Sequence, residues 1–191
     1  EITYGDWSSD VCSSDLVAAR MDAGDILDSF ETDVGERETA GEALDRVAIE
    51  SVPMMRRVVA RLMQGDGSGR AQDDALASRA AKLSRADASV SFDQPAERVR
   101  LRVNGLQPWP GCVVRVAGHE LRWLRLACGT GNGRPGELLR DGSVACAMGA
   151  VLPVDVQPAG GRAMPWSDWL RGRRIESGAI VEPAFPAAGA P

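Results

Sequence analysis

The spacing of apolar residues in the first third of the chain predicts a strand followed by a helix. Residues 26–34 form a short apolar run that ends before Gly35 and predicts a strand. Thr39-Ala40-Gly41-Glu42 has the Thr-x-x-Glu pattern of a capping box, which predicts a helix start. Pro53 should kink or split this helix, because proline removes a backbone donor. One apolar helix face is predicted from residues at helical spacing: Leu44, Val47, Ala48, Met55, Val58, Val59 and Leu62.

A Gly-rich stretch at residues 65–72 interrupts the apolar pattern and predicts a flexible linker, the strongest candidate domain boundary. A short helix is predicted over residues 74–84, so that the whole linker spans 65–86. Another helix should start near Pro95, and the turn Pro108-Trp109-Pro110-Gly111 should break all regular structure.

Short stretches rich in Val, Leu and Trp follow that turn, separated by Gly, Asp or Pro. This pattern over residues 87–182 predicts a small closed or partly closed β-barrel. Residues 166–171 should form one helical turn that packs its tryptophans on the barrel, and residues 183–191 should be disordered. The predicted strands are residues 113–116, 120–127, 136–139, 143–147 and 151–157.

Residues 6–16 lack any apolar period and repeat Ser-Ser-Asp after a gap of two residues. Their string is what one frame of a common sequencing adapter translates to. We therefore interpret residues 1–16 as an artefact of sequence assembly and expect them to be disordered.

The chain has 191 residues, 44% of them hydrophobic, which suits one ordinary domain or two small units. Its longest weakly polar run is far shorter than the roughly 20 apolar residues of a membrane span, so cytoplasm is the default location. A net charge of −5 argues against bulk attraction to nucleic acid but leaves room for a local basic face. Cys112, Cys128 and Cys146 are too widely spaced for a zinc signature, and His119 is assigned no role.

Several residue groups follow one another in a characteristic order along the chain. They are Asp22-Ala23-Gly24-Asp25, Thr39-Ala40-Gly41, Gln72-Asp73, Lys82-Leu83, Pro108-Trp109-Pro110-Gly111, Gln157-Pro158, Gly160 and Met164. In this order the chain resembles the methionyl-tRNA formyltransferase family over roughly residues 17–178. The resemblance implies an α+β chain: the end of a Rossmann-like formyltransferase domain at residues 17–64, then the linker, then an OB-type β-barrel.

The resemblance implies transfer of a formyl group from 10-formyltetrahydrofolate to the amino group of initiator methionyl-tRNA. The family uses an Asn-x-His pair with an Asp, and a Ser-Leu-Leu-Pro segment lines its folate site. Only the Asp has a counterpart here, Asp22, which we expect to be the catalytic residue by family. Alone, an Asp and Gly turn is more often a turn than a site, and we expect this fragment to be inactive.

The partner implied by the resemblance is initiator tRNA, bound by a monomer without membrane attachment. Basic side chains would contact its phosphates, and the alternative interpretation of each is a solvated surface residue. The candidates are Lys82, Arg85, Arg98, Arg102 and Arg115, with Arg122 and Arg125 also on or near the barrel.

Two alternatives remain at the level of the sequence. The first is a folate-dependent formyltransferase for amino-sugar nucleotides, which shares the Asp loop and the barrel. The second is a free-standing OB-fold nucleic-acid binder that stacks bases on tryptophans. We rank it lower because Trp109 and Trp123 are expected to pack the turn and the core. Its stacking candidates are Trp109, Trp123, Trp166 and Trp169.

Overall fold

The computed structural model describes residues 9–20 and 22–185, and for residues 9–12 only the backbone. The chain divides into two compact units. The first contains Glu1–Gly35 and Glu42–Ala81, and the second contains Glu36–Gly41 and Lys82–Pro191. The division after Ala81 lies within residues 65–86, where the linker was predicted.

The first unit is built from an antiparallel strand pair and a long helix. Strand β1 (Ser9–Asp15) pairs with β2 (Ile26–Asp33), and helix α1 spans Ala40–Met63. Helix α1 continues through Pro53, so the predicted split does not occur. Ile49 and Pro53 are both exposed, and water can therefore donate to the Ile49 carbonyl that loses its helical partner.

Strand β1 lies where we expected no regular structure. Its register runs from Ser9 opposite Asp33 to Asp15 opposite Ile26. Pairing of this kind uses backbone groups, which every residue except proline supplies, so a segment without an apolar period can still extend a sheet. Residues 1–8 of the expected artefact lie outside the described residues.

The segment predicted to be a flexible linker is tied to its own unit. Arg70 and Ile26 exchange two backbone hydrogen bonds, of 2.8 and 2.9 Å. Asp66 accepts from the Ser68 hydroxyl at 2.5 Å and from Arg61 at 3.0 Å. Composition predicted mobility here, but these hydrogen bonds order residues 65–70.

The helix predicted over residues 74–84 is also absent. Only two single 3₁₀ turns form in this region, at Asp74–Leu76 and at Arg85–Ala88. Residues 77–84 are exposed apart from the half-buried Leu83. A short helix without an apolar face to bury is marginal in water, which explains the difference.

The second unit is a mixed α and β domain. Its sheet is antiparallel in the order β5-β6-β4-β3-β8, and β7 also pairs with β6. Its elements are α2 (Ala96–Gly105), β3 (Val113–Val116), β4 (His119–Gly129), β5 (Val144–Ala145), β6 (Ala150–Pro158), β7 (Met164–Pro165), α3 (Trp166–Arg173) and β8 (Val181–Pro183).

The named strands of the described chain do not form a closed barrel. The strand predicted at residues 136–139 is instead represented by two isolated bridges, Leu138 with Val144 and Glu137 with Ile180. Leu138 also donates to Ala179 at 2.9 Å, and Val181 donates to Gly136 at 2.8 Å. This short segment therefore lies between β5 and the residues that lead into β8.

One hydrophobic core fills the second unit, between the sheet, α2 and α3. Trp123 on β4 is fully buried and meets Phe92 edge to face at 5.8 Å. Trp166 and Trp169 are buried and stacked at 5.3 Å, so the predicted helical turn does pack its tryptophans on the sheet. The predicted disordered tail begins within β8 at Pro183, and residues 186–191 lie outside the description.

Candidate functional site

Contacts to its own backbone hold the Asp22 loop in place. Asp22 adopts a left-handed φ of 54° and is exposed. The side-chain amide of Gln72 donates to the carbonyls of Asp22 at 3.2 Å and of Gly24 at 2.8 Å. A Cβ at buried Gly24 would overlap the carbonyl of Leu16, so only glycine fits there. These contacts hold the loop with Asp22 at the surface.

The Asn and His side chains that the resemblance pairs with the catalytic Asp are absent from the sequence of the unit that carries Asp22. The first unit contains neither Asn nor His in its sequence, since Asn104, His119 and Asn132 all belong to the second unit. Asn104 is buried and bonded to backbone within that unit. An oxyanion needs donors already aimed at it, and Asp22 is an acceptor when ionised. No chemical step follows from this loop alone.

The predicted tRNA-binding residues fall into two groups. Lys82, Arg85 and Arg98 are exposed, as a phosphate contact requires. Arg102 and Arg115 are half-buried and have partners within the protein. Arg102 donates to the carbonyls of Ser89 at 2.8 Å and Asp87 at 2.5 Å, and Arg115 donates to Glu120 at 2.8 Å.

Two further predicted arginines support backbone segments. Arg122 donates to the carbonyl of Pro108 in the turn that precedes β3. Arg125 donates to the carbonyl of Arg37 at 3.0 Å and lies 3.7 Å from Asp155. These arginines add to the electrostatic field of the domain while their guanidinium groups hold its chain in place.

Arg100 was not among the predicted residues and is the most buried arginine of the described chain. It pairs with Glu97 at 2.5 Å and donates to the carbonyl of Glu36. The hydrogen bond from Arg100 holds the pKa of Glu97 below its usual range. No sequence pattern could indicate this contact, because Glu36 lies 64 residues away.

Charge is distributed unequally between the units. The second contains 15 Lys and Arg against 12 Asp and Glu, a net of +3, whereas the first contains 7 against 15, a net of −8. The overall charge of −5 is therefore the sum of a basic second unit and an acidic first unit. Exposed arginines around α3 that sequence reasoning missed belong to the second unit: Arg162, Arg171, Arg173 and Arg174.

The tryptophans of the second unit differ sharply in exposure. Trp123, Trp166 and Trp169 are at most 3% exposed, whereas Trp109 is 55% exposed. The expectation that Trp109 packs its turn is therefore wrong, and that for Trp123 as a core residue is confirmed. Only Trp109 of the four could offer a ring face to a ligand.

The environments of the three thiols in this unit raise their pKa values. Burial raises the pKa of Cys112 to about 12 and that of Cys146 to about 11. Cys128 is exposed and lies 3.6 Å from a carboxylate oxygen of Glu97, and burial of its sulfur is the main cause that raises its pKa. A nucleophilic cysteine needs a lowered pKa, so none of the three resembles one.

A contiguous apolar surface lies on α1 in the first unit. Val52, Met55, Val59 and Met63 are exposed on it and line a shallow groove.

Among the described residues no helix is both long enough and apolar enough to cross a membrane.

One family model matches within the second unit. Residues 82–174 match the family described as the formyl transferase, C-terminal domain, so this part of the chain belongs to that domain family.

Two relatives are similar to this chain along most of its length. A methionyl-tRNA formyltransferase from Jannaschia sp. is 34% identical over 182 residues, which is 95% of this chain and 59% of that protein. Another, from Pseudomonas putida, is 34% identical over 160 residues, 82% of this chain and 52% of that protein. The chain thus spans between half and three fifths of these relatives and is similar to their C-terminal portion.

Solved structures agree on the fold. HypX from Aquifex aeolicus, determined in complex with tetrahydrofolic acid, superposes with a TM-score of 0.65 at 19% identity. The match covers 85% of this chain and 30% of HypX. A variant of the same protein gives a TM-score of 0.66 at 19% identity, over 85% of this chain and 31% of HypX. At this identity the likeness concerns the fold alone.

Proposed function

We propose that this chain is part of a methionyl-tRNA formyltransferase. The complete protein would act in the cytoplasm as a monomer and move the formyl group of 10-formyltetrahydrofolate to the amino group of initiator methionyl-tRNA. The observation that carries the proposal is 34% identity to such an enzyme along 95% of this chain. The agreement extends from the Asp22 loop to α3, which supports a shared architecture as well as a shared motif.

Within that architecture the two units would correspond to different domains. Residues 17–64, with β2 and α1, would be the end of a Rossmann-like domain, whose sheet would cover the apolar surface of α1. The second unit would be an OB-type barrel. Support for the barrel comes from residues 136–138, whose bridges to Val144 and Ile180 lie between β5 and β8, the two ends of the sheet order.

The chain alone should lack formyl-transfer activity. Attack of the amine on the formyl carbon requires a proton acceptor and donors for the oxyanion of the tetrahedral intermediate. Asp22 could orient a catalytic histidine, but its own unit contains none. Each missing oxyanion donor is worth about 3 to 4 kcal/mol of transition-state stabilisation.

The second unit should bind tRNA through its positive charge. Lys82, Arg85 and Arg98 are exposed and would contact phosphates directly. Arg102 and Arg115 are half-buried, so they would contribute mainly to the field that attracts the RNA. The net charge of +3 on this unit supports such a role despite the acidic chain.

Fluorescence-anisotropy titration of labelled initiator tRNA with the intact chain tests this binding. Affinity should fall as salt rises, because bound phosphates release counterions. The double variant Lys82→Ala, Arg85→Ala should reduce both the affinity and its salt slope. Arg56→Ala, an exposed arginine in the acidic unit, is the matched control and should change neither. Binding that is insensitive to salt, or no binding, would contradict the proposal.

Activity is tested separately. The chain incubated with methionyl-tRNA and 10-formyltetrahydrofolate should give no formylated product, whereas the product of the complete gene should. Parallel assays of the complete enzyme with amino-sugar nucleotides distinguish the alternative substrate class. Formylation of the sugar and not of the tRNA would overturn the proposed substrate.

A further inference from the structure

The turn between α2 and β3 presents one aromatic ring to solvent. Trp109 lies between Pro108 and Pro110 and is 55% exposed, while the other described tryptophans of this unit are buried in the core. Exposing so much of an indole forgoes a large hydrophobic gain. The ring is therefore placed where a binding partner could recover that gain.

The backbone around Trp109 is held in place on both sides. Gln107 accepts from the backbone amide of Gly41 at 2.9 Å, and Gly111 donates to the carbonyl of Leu106 at 2.9 Å. Arg122 donates to the carbonyl of Pro108. The two prolines also fix their own φ angles. An indole carried by such a turn has little backbone freedom left to lose when a ligand binds.

Gly111 allows this arrangement. Its φ is +74°, a conformation that favours glycine, and a Cβ there would overlap the guanidinium of Arg122. The arginine therefore fits against the turn only because residue 111 has no side chain. Its charge is thereby held beside the segment that carries Trp109.

The surroundings of the turn are positively charged. Burial raises the pKa of the Cys112 thiol next to the turn, and the charges of Arg102 and Arg122 oppose that rise. Both guanidinium groups donate to backbone carbonyls, so they supply field more than free donors. An unpaired nucleotide combines a flat base with an anionic backbone. Such a ligand suits an exposed aromatic side chain in a positive field.

We propose that Trp109 is a stacking platform for an unpaired base of the bound tRNA. The inference rests on the proposed tRNA binding by the second unit and adds a base contact to its phosphate contacts. Stacking on an aromatic side chain needs a base that is out of a helix and tolerates any base identity. Trp109 would therefore recognise single-stranded RNA and make no sequence-specific contact.

The first test compares Trp109→Ala with Trp109→Phe in the intact chain, with anisotropy of labelled initiator tRNA as the readout. The alanine variant should bind about 5- to 150-fold more weakly, and phenylalanine should restore most of the affinity. The salt slope should stay unchanged, because no phosphate contact is removed. Met148→Ala, at another exposed apolar residue of the same unit, is the matched control and should bind as the unaltered chain does. Thermal unfolding of each variant checks that the unit remains folded.

The second test replaces tRNA by two model ligands, an unstructured single-stranded RNA and a blunt duplex RNA of equal phosphate number. Trp109→Ala should weaken binding to the single strand and leave binding to the duplex unchanged. Equal loss on both would show that the substitution disturbs phosphate contacts, which would overturn stacking.

Failure of stacking and failure of the proposed function can be told apart. If the unaltered chain binds tRNA with salt sensitivity and Trp109→Ala binds equally well, stacking is wrong and tRNA binding stands. Trp109 would then be a candidate contact for protein instead. If the unaltered chain does not bind tRNA at all, the proposed tRNA binding fails and stacking fails with it.

Discussion

The side chain of Asn104 pairs with the backbone of Leu126 as a neighbouring strand would. Its amide nitrogen donates to the Leu126 carbonyl at 3.0 Å, and its carbonyl oxygen accepts from the Leu126 amide at 2.8 Å. Both residues are buried, so water cannot replace either bond. This pair fastens the end of α2 to the middle of β4.

Asn104→Ala should therefore destabilise the second unit. The substitution leaves a buried N–H and a buried C=O of Leu126 without partners, and we expect the free energy of unfolding to fall by about 2 to 4 kcal/mol. Urea denaturation followed by circular dichroism measures the change. Asn132→Ala, at an exposed position, should stay within about 0.5 kcal/mol of the unaltered chain. A loss at Asn104 as small as that control would mean that the pair contributes little.

Limited proteolysis should separate the two units at a particular place. Residues 77–84 lack regular structure and are almost entirely exposed, whereas Arg70 is bonded to Ile26. Trypsin should therefore cut after Arg79 or Lys82 before it cuts after Arg61 or Arg70. Mass spectrometry of a short time course identifies the first fragments. Initial cleavage after Arg70 would instead favour the flexible linker that composition predicted.

Thiol labelling should distinguish the cysteines of the second unit. Burial raises the pKa of Cys112 to about 12 and that of Cys146 to about 11, so both remain protonated and covered at pH 8. Cys128 is exposed and should react first with iodoacetamide. Its reaction should be slow, because partial burial of the sulfur raises its pKa as well. Peptide mapping with and without urea gives the order. Labelling of Cys112 in the native chain at the rate of Cys128 would contradict the buried core.

Asp66 should contribute stability that disappears in acid. The hydrogen bonds from Ser68 and Arg61 hold the pKa of its carboxyl well below the usual range of aspartate. A lowered folded-state pKa contributes stability that is present above the unfolded value of about 3.9 and is lost as the pH falls through the folded value.

Urea unfolding of the unaltered chain and of Asp66→Asn, between pH 2 and pH 7, tests this expectation. The difference between the two proteins should be constant above about pH 5 and shrink as the solution becomes more acidic. Asp45→Asn, on the exposed side of α1, is the control variant. A difference that grew toward low pH would have the wrong sign and would exclude this role for Asp66.

Local sequence patterns predicted those parts of the fold that depend on neighbours in the chain. Strand β3 has the predicted bounds, helix α2 begins directly after Pro95, and Trp166 starts the predicted helical turn. In each case the apolar spacing or the proline that carries the prediction lies within the element. The Asp22 loop was likewise located by its own residues.

Several other differences between prediction and structure have their physical origin in distant partners. Composition predicted a flexible linker at residues 65–70, but Arg70 is bonded to Ile26, more than 40 positions earlier. The phosphate contacts of Arg102 and Arg122 stay predictions, but local pattern did not indicate that both guanidinium groups donate to backbone carbonyls more than ten residues away. Trp109 was expected to pack its turn, but the residue is 55% exposed. Such contacts depend on which distant segments the fold brings together, and the local sequence pattern does not encode that.

The bridges at Glu137 and Leu138 give the three-residue strand β8 an importance beyond its length. Val181 pairs with Val116 of β3 on one side and donates to Gly136 on the other. A stop codon before Ala179 would leave β3 and residues 136–138 as two unpaired edges, each able to recruit a strand from another molecule. Loss of residues 179–191 should therefore appear first as insoluble protein, before any defect in RNA recognition could be measured.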